Sequence, residues 1–333
     1  MKNKNSGAKP FLKWAGGKTQ LLPEIQKFYP QNIEKYCEPF VGGGAVLFDI
    51  LQKFQPKEVL INDINPELTN TYTQIKTNVN GLLELLSDWQ NEYQNSSPEK
   101  RKEIFYKKRK RFNELILGVP TASGGQAFRG SAIATLKETR QAAFPPTLCA
   151  PTILNADLLE KAALMIYLNK TCFNGLYRVN AKGLFNVPSG VYKNPLICQK
   201  ENLIAVSEAL QNVQIMTGSY TQTESFIDKN TFVYIDPPYR PLTKTAAFTS
   251  YSKEGFDDSK QIELGNFVTR IHKNGNGAKV LLSNSDPKNS NQDDNFFDDL
   301  YKDFNIQRVK ANRMINSNSD GRGAITEIMV ACL

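Results

Sequence analysis

A short segment, Asp236-Pro237-Pro238-Tyr239, follows an apolar run over residues 232–235 that predicts a buried strand. A carboxylate at the carboxyl end of a strand in an open α/β sheet lies where such sheets bind ligands. The two prolines fix φ and lack N–H groups, so nearby carbonyl oxygens are left as acceptors. A carboxylate and a rigid carbonyl can together accept both hydrogens of an exocyclic NH₂, and Tyr239 offers a ring on which a base can stack. The segment therefore suits a planar aromatic amine, although the same residues also occur in tight turns.

A glycine turn and an acid form a second candidate site. Gly42, Gly43 and Gly44 precede an apolar helix start, where glycines let a ligand approach the free N–H groups of the helix. A predicted strand then ends at Asp63, 21 residues after Gly42. In nucleotide-binding βαβ units, an acid at about 20 residues from the glycine turn binds the ribose hydroxyls. Because the glycines do not follow the G-x-G-x-x-G spacing, the pair predicts a site for a single adenosine moiety.

A third segment, Gly17-Lys18-Thr19, is similar to the end of a phosphate-binding loop. Such a loop needs a glycine five positions before Gly17, where this chain has Leu12, so we set an NTPase aside. Trp14 and Lys18 instead suit the face and the carboxylate of one small ligand, or they belong to a packed N-terminal turn.

The composition limits the class of protein to which these residues can belong. The chain has 333 residues, of which 40% are hydrophobic and 22% charged, as in a globular protein. The mean hydropathy is −0.42, and we expect a soluble, unexported cytoplasmic protein without a membrane segment. Five scattered cysteines without a C-x-x-C pair indicate free thiols. One histidine, His272, argues against a Ser-His-Asp triad and against a histidine-rich metal site.

The positive charge is concentrated in one segment. The net charge is +8, and residues 100–111 hold eight Lys or Arg against one Glu. Phe105, Phe112 and Ile116 recur at helical spacing, so the segment predicts a basic helix. Lys107, Lys108 and Arg109 are central in it. Such a helix could bind the phosphates of a nucleic acid or form a solvated face, and the segment alone does not decide between them.

The pattern of apolar residues, glycines and prolines predicts an interrupted α/β protein. Its order is an α/β segment over 1–67, helices over 68–116, an inserted loop-rich segment over 117–156, a helix over 158–168, a glycine-punctuated stretch over 169–193, and α/β structure closing on a strand over 325–333. Within the glycine-punctuated stretch, residues 176–179 and 184–187 flank Asn180 to Gly183, which predicts a β-hairpin. A two-stranded ribbon fits a DNA groove, and Arg178 on it could bridge O6 and N7 of guanine.

Four ordered motifs carry a resemblance to a known family. They are Lys13-Trp14-Ala15-Gly16-Gly17-Lys18, Glu38-Pro39-Phe40-Val41-Gly42-Gly43-Gly44, Asn62-Asp63-Ile64-Asn65 and Asp236-Pro237-Pro238-Tyr239. Together they resemble the motifs of alpha-group adenine-N6 DNA methyltransferases, and specifically of Dam-like, GATC-recognising enzymes. Residues 169–180, 183, 185–188 and 241–249 extend the resemblance over nearly the whole chain outside 117–156.

The resemblance implies a fold and a cofactor. The fold is a Rossmann-like α/β sheet of an S-adenosylmethionine-dependent methyltransferase, with an inserted, mainly helical DNA-recognition domain that carries the hairpin. The catalytic domain would comprise residues 1–67 and 197–333, and the recognition domain residues 68–196. The positions that match S-adenosylmethionine contacts are Trp14, Lys18, Phe40, Gly42, Gly44, Asp63, Ser219, Tyr220 and Asp236. Asp236, Pro237, Pro238 and Tyr239 would hold the target adenine.

The resemblance also implies contacts with double-stranded DNA. The matching segment includes Phe173 and Asn174. Leu176, Arg178 and Pro188 match residues that read the target site, and Tyr192 matches an aromatic that wedges into the duplex. The sequence departs from the family at Val191, where many relatives carry an arginine directed at phosphate. The segment 117–156 also has no counterpart in the shorter relatives.

The function expected from these residues is methylation of adenine N6 in double-stranded DNA, within GATC, after the base is flipped from the helix. The enzyme would belong to a restriction-modification system, with a cognate endonuclease acting on the same site, or would be a solitary modification enzyme. The sulfonium is a good electrophile, so we expect no metal. Two alternatives stay open. One is an amino-methylating enzyme acting on RNA or on cytosine N4, and the other is a DNA-binding protein without catalysis.

Overall fold

The computed structural model describes residues 7–118, 150–240, 256–273, 277–312 and 324–333. The α-helices are α1 Leu22–Ile25, α2 Ala45–Lys53, α3 Pro66–Thr77, α4 Val79–Gln94, α5 Pro98–Ile116, α6 Ala150–Thr171, α7 Lys200–Ala209, α8 Asp258–Lys273 and α9 Phe296–Leu300. The strands are β1 Lys35–Glu38, β2 Glu58–Asp63, β3 Val213–Thr217, β4 Thr231–Ile235, β5 Lys279–Ser285, β6 Asn305–Asn312 and β7 Ala324–Cys332. The 3₁₀ turns are Lys18–Gln20, Gln26–Phe28, Phe173–Gly175, Tyr220–Phe226 and Pro287–Asn289.

The strands form one sheet in the order β3-β2-β1-β4-β5-β7-β6. β1 to β5 are parallel, and β7 runs antiparallel between β5 and β6. The chain therefore starts in the middle of the sheet, moves outward to β3, and resumes at β4 on the other side of β1. Open α/β sheets bind ligands where the strand order reverses, here between β1 and β4. The predicted Rossmann-like α/β fold is confirmed.

Helices cover both faces of the sheet. The burial of β4 on both faces explains why its apolar sequence forms a strand. All five of its residues are buried. Phe232 and Tyr234 pack in one apolar cluster with α2, α3 and α6, whereas Val233 and Ile235 pack in a second cluster with α8. A parallel strand buried on both faces is apolar at every position instead of at every second one. The predicted strand before Asp236 is therefore confirmed.

The helical stretch predicted over 68–116 is present as α3, α4 and α5. In α4, the stripe that includes Leu82, Leu86 and Tyr93 is buried. Ser97 caps the amino end of α5, because its hydroxyl accepts from the Lys100 N–H at 3.3 Å. Its Phe105 and Phe112 are fully buried, which confirms that the basic segment is a helix with one apolar face.

The predicted loop-rich segment over 117–156 lies outside the described residues from 119 to 149. At its end the prediction is wrong, because α6 begins at Ala150. Proline in general favours loops, but Pro151 lies in the first turn of α6, where proline is tolerated because a backbone N–H there would have no intrahelical acceptor. The following helix, predicted over 158–168, is confirmed and longer.

The predicted hairpin is present in a short form. Val179 and Phe185 form an antiparallel bridge, and the Asn180 N–H donates to the Leu184 carbonyl at 2.9 Å. The Asn180 side chain accepts from the N–H groups of Lys182 and Leu184 and closes the turn.

All strands of this sheet fall within residues 1–67 and 197–333. The three-part division of the chain stays a prediction. No helix in the described part of the chain is long and apolar enough to cross a membrane.

Candidate active site

The carboxyl ends of four neighbouring parallel strands bring the predicted residues together. Phe40 follows β1, Asp63 ends β2, Ser219 follows β3 and Asp236 follows β4. Because parallel strands end at the same edge of a sheet, residues far apart in sequence become neighbours there. This edge is the candidate active site.

Asp236 is held in an ion pair with Lys18. The Lys18 ammonium lies 2.7 Å from Oδ1 and 2.8 Å from Oδ2 of Asp236, and it also donates to the Gly16 carbonyl at 2.8 Å. Only 4% of Lys18 is exposed. The Ser283 hydroxyl, on β5, donates to Asp236 Oδ1 at 3.1 Å. Lys18, which the resemblance assigned to the cofactor, is thus a direct partner of the proposed catalytic carboxylate.

Burial and neighbouring charges act in opposite directions on Asp236. Burial raises the pKa of its carboxyl, whereas the Lys18 charge and the hydrogen bonds from Lys18 and Ser283 lower it. Burial also raises the pKa of Tyr239 well above its usual range, and the carboxylates of Asp236 and Glu327 raise it further. The Tyr239 hydroxyl is therefore protonated at neutral pH and donates to Glu327 Oε2 at 2.6 Å.

The two proline carbonyls have different surroundings. The Pro238 carbonyl accepts from the Gln261 side chain at 3.1 Å, and Asn284 holds Gln261 in turn at 3.1 Å. No donor among the described residues reaches the Pro237 carbonyl. As far as the described residues show, the Pro237 carbonyl is therefore an acceptor left for a ligand beside Asp236.

Sequence reasoning missed the polar residues that surround this segment. Ser283, Asn284 and Gln261 are fully buried, and Glu327 is 9% exposed. The signal that could have found two of them is the polar run Ser283-Asn284-Ser285 directly after an apolar strand. Glu327 and Gln261 have no comparable local signal.

Asp63 closes the glycine turn, and its predicted contact with a ribose stays a prediction. Its carboxylate accepts from the Gly42 N–H at 3.1 Å and from the Asn65 N–H at 2.9 Å. Gly42 and Gly44 adopt φ of 48° and 72°, which favours glycine. Burial raises the pKa of Asp63 to about 6, against the lowering effect of the backbone N–H groups.

Neighbouring contacts fix this corner of the sheet. The Asn62 side chain donates to the carbonyls of Pro39 and Gly218, both at 3.0 Å, and so ties the ends of β1, β2 and β3 together. A Cβ on Gly44 would lie 2.5 Å from the Tyr72 hydroxyl, which itself donates to the Gly42 carbonyl at 3.0 Å. The turn therefore has no room for a side chain.

Two aromatic pairs border the site. Phe40 and Tyr220 stack with ring centroids 5.2 Å apart. Trp14 stacks on Tyr177 of the hairpin at 5.3 Å, which links the N-terminal segment to the hairpin. Ser219 accepts from the Thr221 N–H at 3.3 Å and starts the turn that carries Tyr220. Trp14, Phe40, Ser219 and Tyr220 thus lie around the carboxyl edge of the sheet, and their contact with a cofactor stays a prediction.

The residues predicted to contact DNA form an exposed strip along the hairpin segment. Its exposed members are Phe173, Asn174, Arg178, Pro188 and Tyr192, and Leu176 is half-buried. Arg178 donates through Nε to the Asn186 side chain at 3.0 Å. Phe173 is 54% exposed, and Tyr192 is exposed as well. Exposed aromatic side chains next to a basic helix are compatible with a nucleic-acid surface.

The three basic residues singled out on α5 have unlike surroundings. Lys107 is exposed. The side chain of Lys108 is 13% exposed, pairs with Glu92 at 3.2 Å and lies 3.9 Å from the centroid of the Trp89 ring. Burial lowers the pKa of Lys108.

Arg109 holds the hairpin, because it donates to the Val187 carbonyl at 3.2 Å. Asn113, one turn further along α5, accepts from the Phe185 N–H at 2.9 Å and donates to the Phe185 carbonyl at 3.1 Å. The basic helix therefore serves partly as a support for the hairpin. DNA contact by Lys107, Lys108 and Arg109 stays a prediction.

The chain is similar to a known family of proteins. The model of the D12 class of N6 adenine-specific DNA methyltransferases matches residues 14–315. The chain is 44% identical over 328 residues to the type II methyltransferase M.MjaIII of Methanocaldococcus jannaschii, covering 97% of this chain and 98% of the relative. It is 38% identical to the type II methyltransferase M1.LlaDCHI of Lactococcus lactis (97% and 94% covered) and 32% identical to a DNA adenine methylase of Vibrio cholerae (96% and 94% covered).

Proposed function

The chain belongs to the D12 class of N6 adenine-specific DNA methyltransferases, and we propose that it transfers the methyl group of S-adenosylmethionine to adenine N6 within GATC in double-stranded DNA. The observation that carries the proposal is the arrangement at the sheet edge. The Asp236 carboxylate, the unused Pro237 carbonyl and the Tyr239 ring lie directly after β4, and Asp63 closes the glycine turn two strands away.

The residues beside β1, β2 and β3 suit S-adenosylmethionine. Asp63 presents a carboxylate at a turn that admits no side chain, and the stacked rings of Phe40 and Tyr220 offer an apolar border. When bound, the cofactor supplies an electrophilic methyl group.

The amine is activated by its hydrogen-bond acceptors. An aromatic amine is a weak nucleophile because its lone pair is delocalised into the ring. Acceptance of its two hydrogens by Asp236 and by the Pro237 carbonyl favours a tetrahedral nitrogen whose lone pair can attack. A carboxylate offers about four acceptor sites. Lys18 and Ser283 contact Asp236 at three of them, so one is left for the amine.

Access to N6 requires that the adenine leaves the duplex, because N6 is otherwise stacked and paired. The exposed hairpin strip and Lys107 are the residues we propose for DNA contact, with Arg178 directed at a guanine of GATC. The resemblance of residues 169–188 to GATC-recognising enzymes supports this site, and the relative named as a DNA adenine methylase supports adenine as the target base.

Two relatives are named type II methyltransferases. Their names support a restriction-modification setting, in which a cognate endonuclease acts on the same sequence, over a solitary role. Methylation of chromosomal DNA would take place in the cytoplasm.

The test is a methylation assay followed by digestion. Plasmid incubated with the protein and S-adenosylmethionine should become resistant to a nuclease that cleaves only unmethylated GATC. It should become sensitive to a nuclease that cleaves only adenine-methylated GATC. The Asp236→Ala variant is the inactive control.

Chromatography of the hydrolysed DNA separates the remaining alternatives. If the DNA contains N6-methyladenine but GATC stays unprotected, the enzyme methylates adenine in another sequence. N4-methylcytosine, or label in RNA alone, would overturn the adenine assignment for this chain. No transfer from S-adenosylmethionine to any nucleic acid would overturn the proposed cofactor.

A further inference from the structure

Glu327 is a carboxylate at the active edge that the proposed chemistry does not use. It lies near the start of β7, where its partner across the ladder is Ser285 at the end of β5. Because β7 runs antiparallel to β5, its amino end meets the carboxyl ends of the parallel strands. Glu327 is 9% exposed. Burying a carboxylate is costly unless its partners compensate, so its partners indicate what it does.

Two of those partners are residues of the site. The Tyr239 hydroxyl donates to Glu327 Oε2 at 2.6 Å, the short distance expected when a hydroxyl donates to a charged acceptor. The Lys18 ammonium lies 4.0 Å from the same oxygen. Lys18 also lies over the Tyr239 ring, 4.8 Å from its centroid. One face of the Tyr239 ring therefore carries the ammonium, and the opposite face is the one on which a base can stack.

The main chain around Tyr239 is fixed independently of Glu327. Gln261 donates to the Pro238 carbonyl, and Arg240 forms ion pairs with Asp258 and Asp294, both at 2.6 Å. These contacts hold the peptide on both sides of Tyr239 but leave rotation of its side chain. The bond from its hydroxyl to Glu327 removes that freedom.

We propose that Glu327 is a positioning residue for methyl transfer. Its carboxylate anchors the Tyr239 hydroxyl and so sets the plane of the ring against which the target adenine stacks. This inference rests on the proposed stacking role of Tyr239. It predicts an effect on the transfer step and a small effect on DNA affinity, because phosphate contacts outside this site dominate DNA binding.

The variants separate the hydroxyl–carboxylate bond from the rest of the site. Glu327→Leu removes the acceptor, Glu327→Gln keeps an oxygen that can accept from Tyr239, and Tyr239→Phe removes the donor but keeps the ring. Misplacement of a reacting group by about 1 Å can cost on the order of 10²-fold in rate. We expect Glu327→Leu and Tyr239→Phe each to lower kcat by about ten- to a hundredfold, with KM values for DNA and cofactor changed by less than about threefold. Glu327→Gln should recover most of the loss.

The double variant tests whether the two residues act through one bond. If they do, Glu327→Leu with Tyr239→Phe should lose no more rate than either single change, whereas independent roles would multiply the two losses. Glu58→Leu is the matched control, since Glu58 is also a strand carboxylate but lies exposed at the opposite edge of the sheet.

A fluorescence measurement reports the stacking itself. DNA with 2-aminopurine in place of the target adenine becomes brighter when the base leaves the duplex and dimmer when the base stacks on an aromatic ring. The complex with Glu327→Leu should be brighter than that with the wild type, and the complex with Glu327→Gln should resemble the wild type.

Multiplied losses in the double variant, or a Tyr239→Phe variant with wild-type kcat, would overturn the inference. Because Tyr239→Phe leaves every strand residue in place, it decides the matter even if Glu327→Leu does not fold. A wild type that transfers no methyl group to adenine would instead overturn the proposed function. An active wild type with an unaffected Tyr239→Phe variant would overturn the role of Glu327 alone.

Discussion

Asp63 gives the sharpest test of the cofactor site, because its carboxylate has a defined set of partners. It accepts from the N–H groups of Gly42 and Asn65, and in the proposed complex it also accepts from a ribose hydroxyl. In Asp63→Asn, one side-chain oxygen replaces two, and the charge is lost. Hydrogen bonds to charged groups contribute about 1.5–3 kcal/mol. At 1.4 kcal/mol per tenfold, S-adenosylmethionine should bind the variant about 10- to 150-fold more weakly.

The pH dependence follows from the same burial. The pKa of Asp63 is raised to about 6 in the folded protein, above its ordinary value of 3.8. Ionised Asp63, the form that accepts from the ribose, is therefore lost as the pH falls through about 6. Cofactor affinity of the wild type should fall between pH 7 and pH 5, and that of Asp63→Asn should change much less over this range.

The stability of the cofactor-free protein depends on pH in the opposite direction to the cofactor affinity. Since the folded pKa is raised, the carboxyl favours folding at low pH, and that contribution is lost as the pH rises from about 4 to about 6. The two-unit shift corresponds to about 3 kcal/mol. At pH 7, Asp63→Asn should raise the free energy of unfolding by about this amount, because no buried charge remains. Loss of a backbone hydrogen bond should lower the free energy of unfolding by about 1–3 kcal/mol. The two effects offset each other, so the variant should fold.

Calorimetric titration with S-adenosylmethionine between pH 5 and pH 7, without DNA, measures both effects. Asp228→Asn is the control, because Asp228 lies at the amino edge of β4 and pairs with Lys35 at 2.9 Å. A folded Asp63→Asn variant with a Kd within threefold of the wild type would refute the ribose contact. Equal pH slopes for the two proteins would refute Asp63 as the titrating group.

Three further predictions concern chemistry, specificity and charge. Asp236→Ala should lower the methylation rate by more than tenfold, over 1.4 kcal/mol of barrier, while gel-shift affinity for DNA stays near that of the wild type. Arg178→Ala should lower kcat/KM on GATC but leave kcat/KM on duplexes altered at the contacted guanine nearly unchanged, because a bidentate contact provides about 1–3 kcal/mol of discrimination. Lys107→Glu should weaken binding to all DNA sequences alike and reduce the salt slope, whereas Lys108→Glu should instead lower the Tm, since Lys108 packs on Trp89 beside Glu92.

Each of these three predictions would be contradicted by a particular result. An Asp236→Ala variant that keeps more than about a tenth of the rate would exclude Asp236 as an acceptor for the amine. Equal proportional losses on all duplexes would make Arg178 a phosphate contact or a support of the hairpin. Overlaid salt slopes for Lys107→Glu and the wild type would leave the exposed face of α5 as a solvated surface.

Local signals were sufficient for the elements that carry the site. The apolar run before Asp236 predicts β4, because a strand covered on both faces requires apolar residues at every position. The spacing of Phe105 and Phe112 predicts α5, because a helix repeats its buried face about every seven residues. The 21-residue separation of Gly42 and Asp63 assigns both residues to one predicted adenosine site, and the structure brings them into contact at 3.1 Å.

Contacts between distant segments could not be predicted in this way. Glu327 meets Tyr239 only because β7 inserts antiparallel between β5 and β6. Nothing around Glu327 in the sequence distinguishes it from a solvated strand residue. Lys108 lies in a run of charges that suggests full exposure, but Trp89 and Glu92 of the preceding helix cover it. Both cases depend on tertiary packing, which overrides the local pattern.

The structure also shows that the hairpin segment and the segment that carries Lys18 share a support. Asn169, at the end of α6, donates to the carbonyls of Lys13 and Gly175 and accepts from the Lys13 N–H, all at 2.9 Å. It thereby joins the segment that carries Lys18 to the segment that leads into the hairpin, and the stacked rings of Trp14 and Tyr177 make a second joint. These packed, hydrogen-bonded residues connect the hairpin with the segment that carries the partner of Asp236. We therefore expect a change in the hairpin to alter the rate as well as the affinity, so specificity variants such as Arg178→Ala must be compared by kcat/KM on several duplexes, since binding alone would miss an effect on the reacting groups.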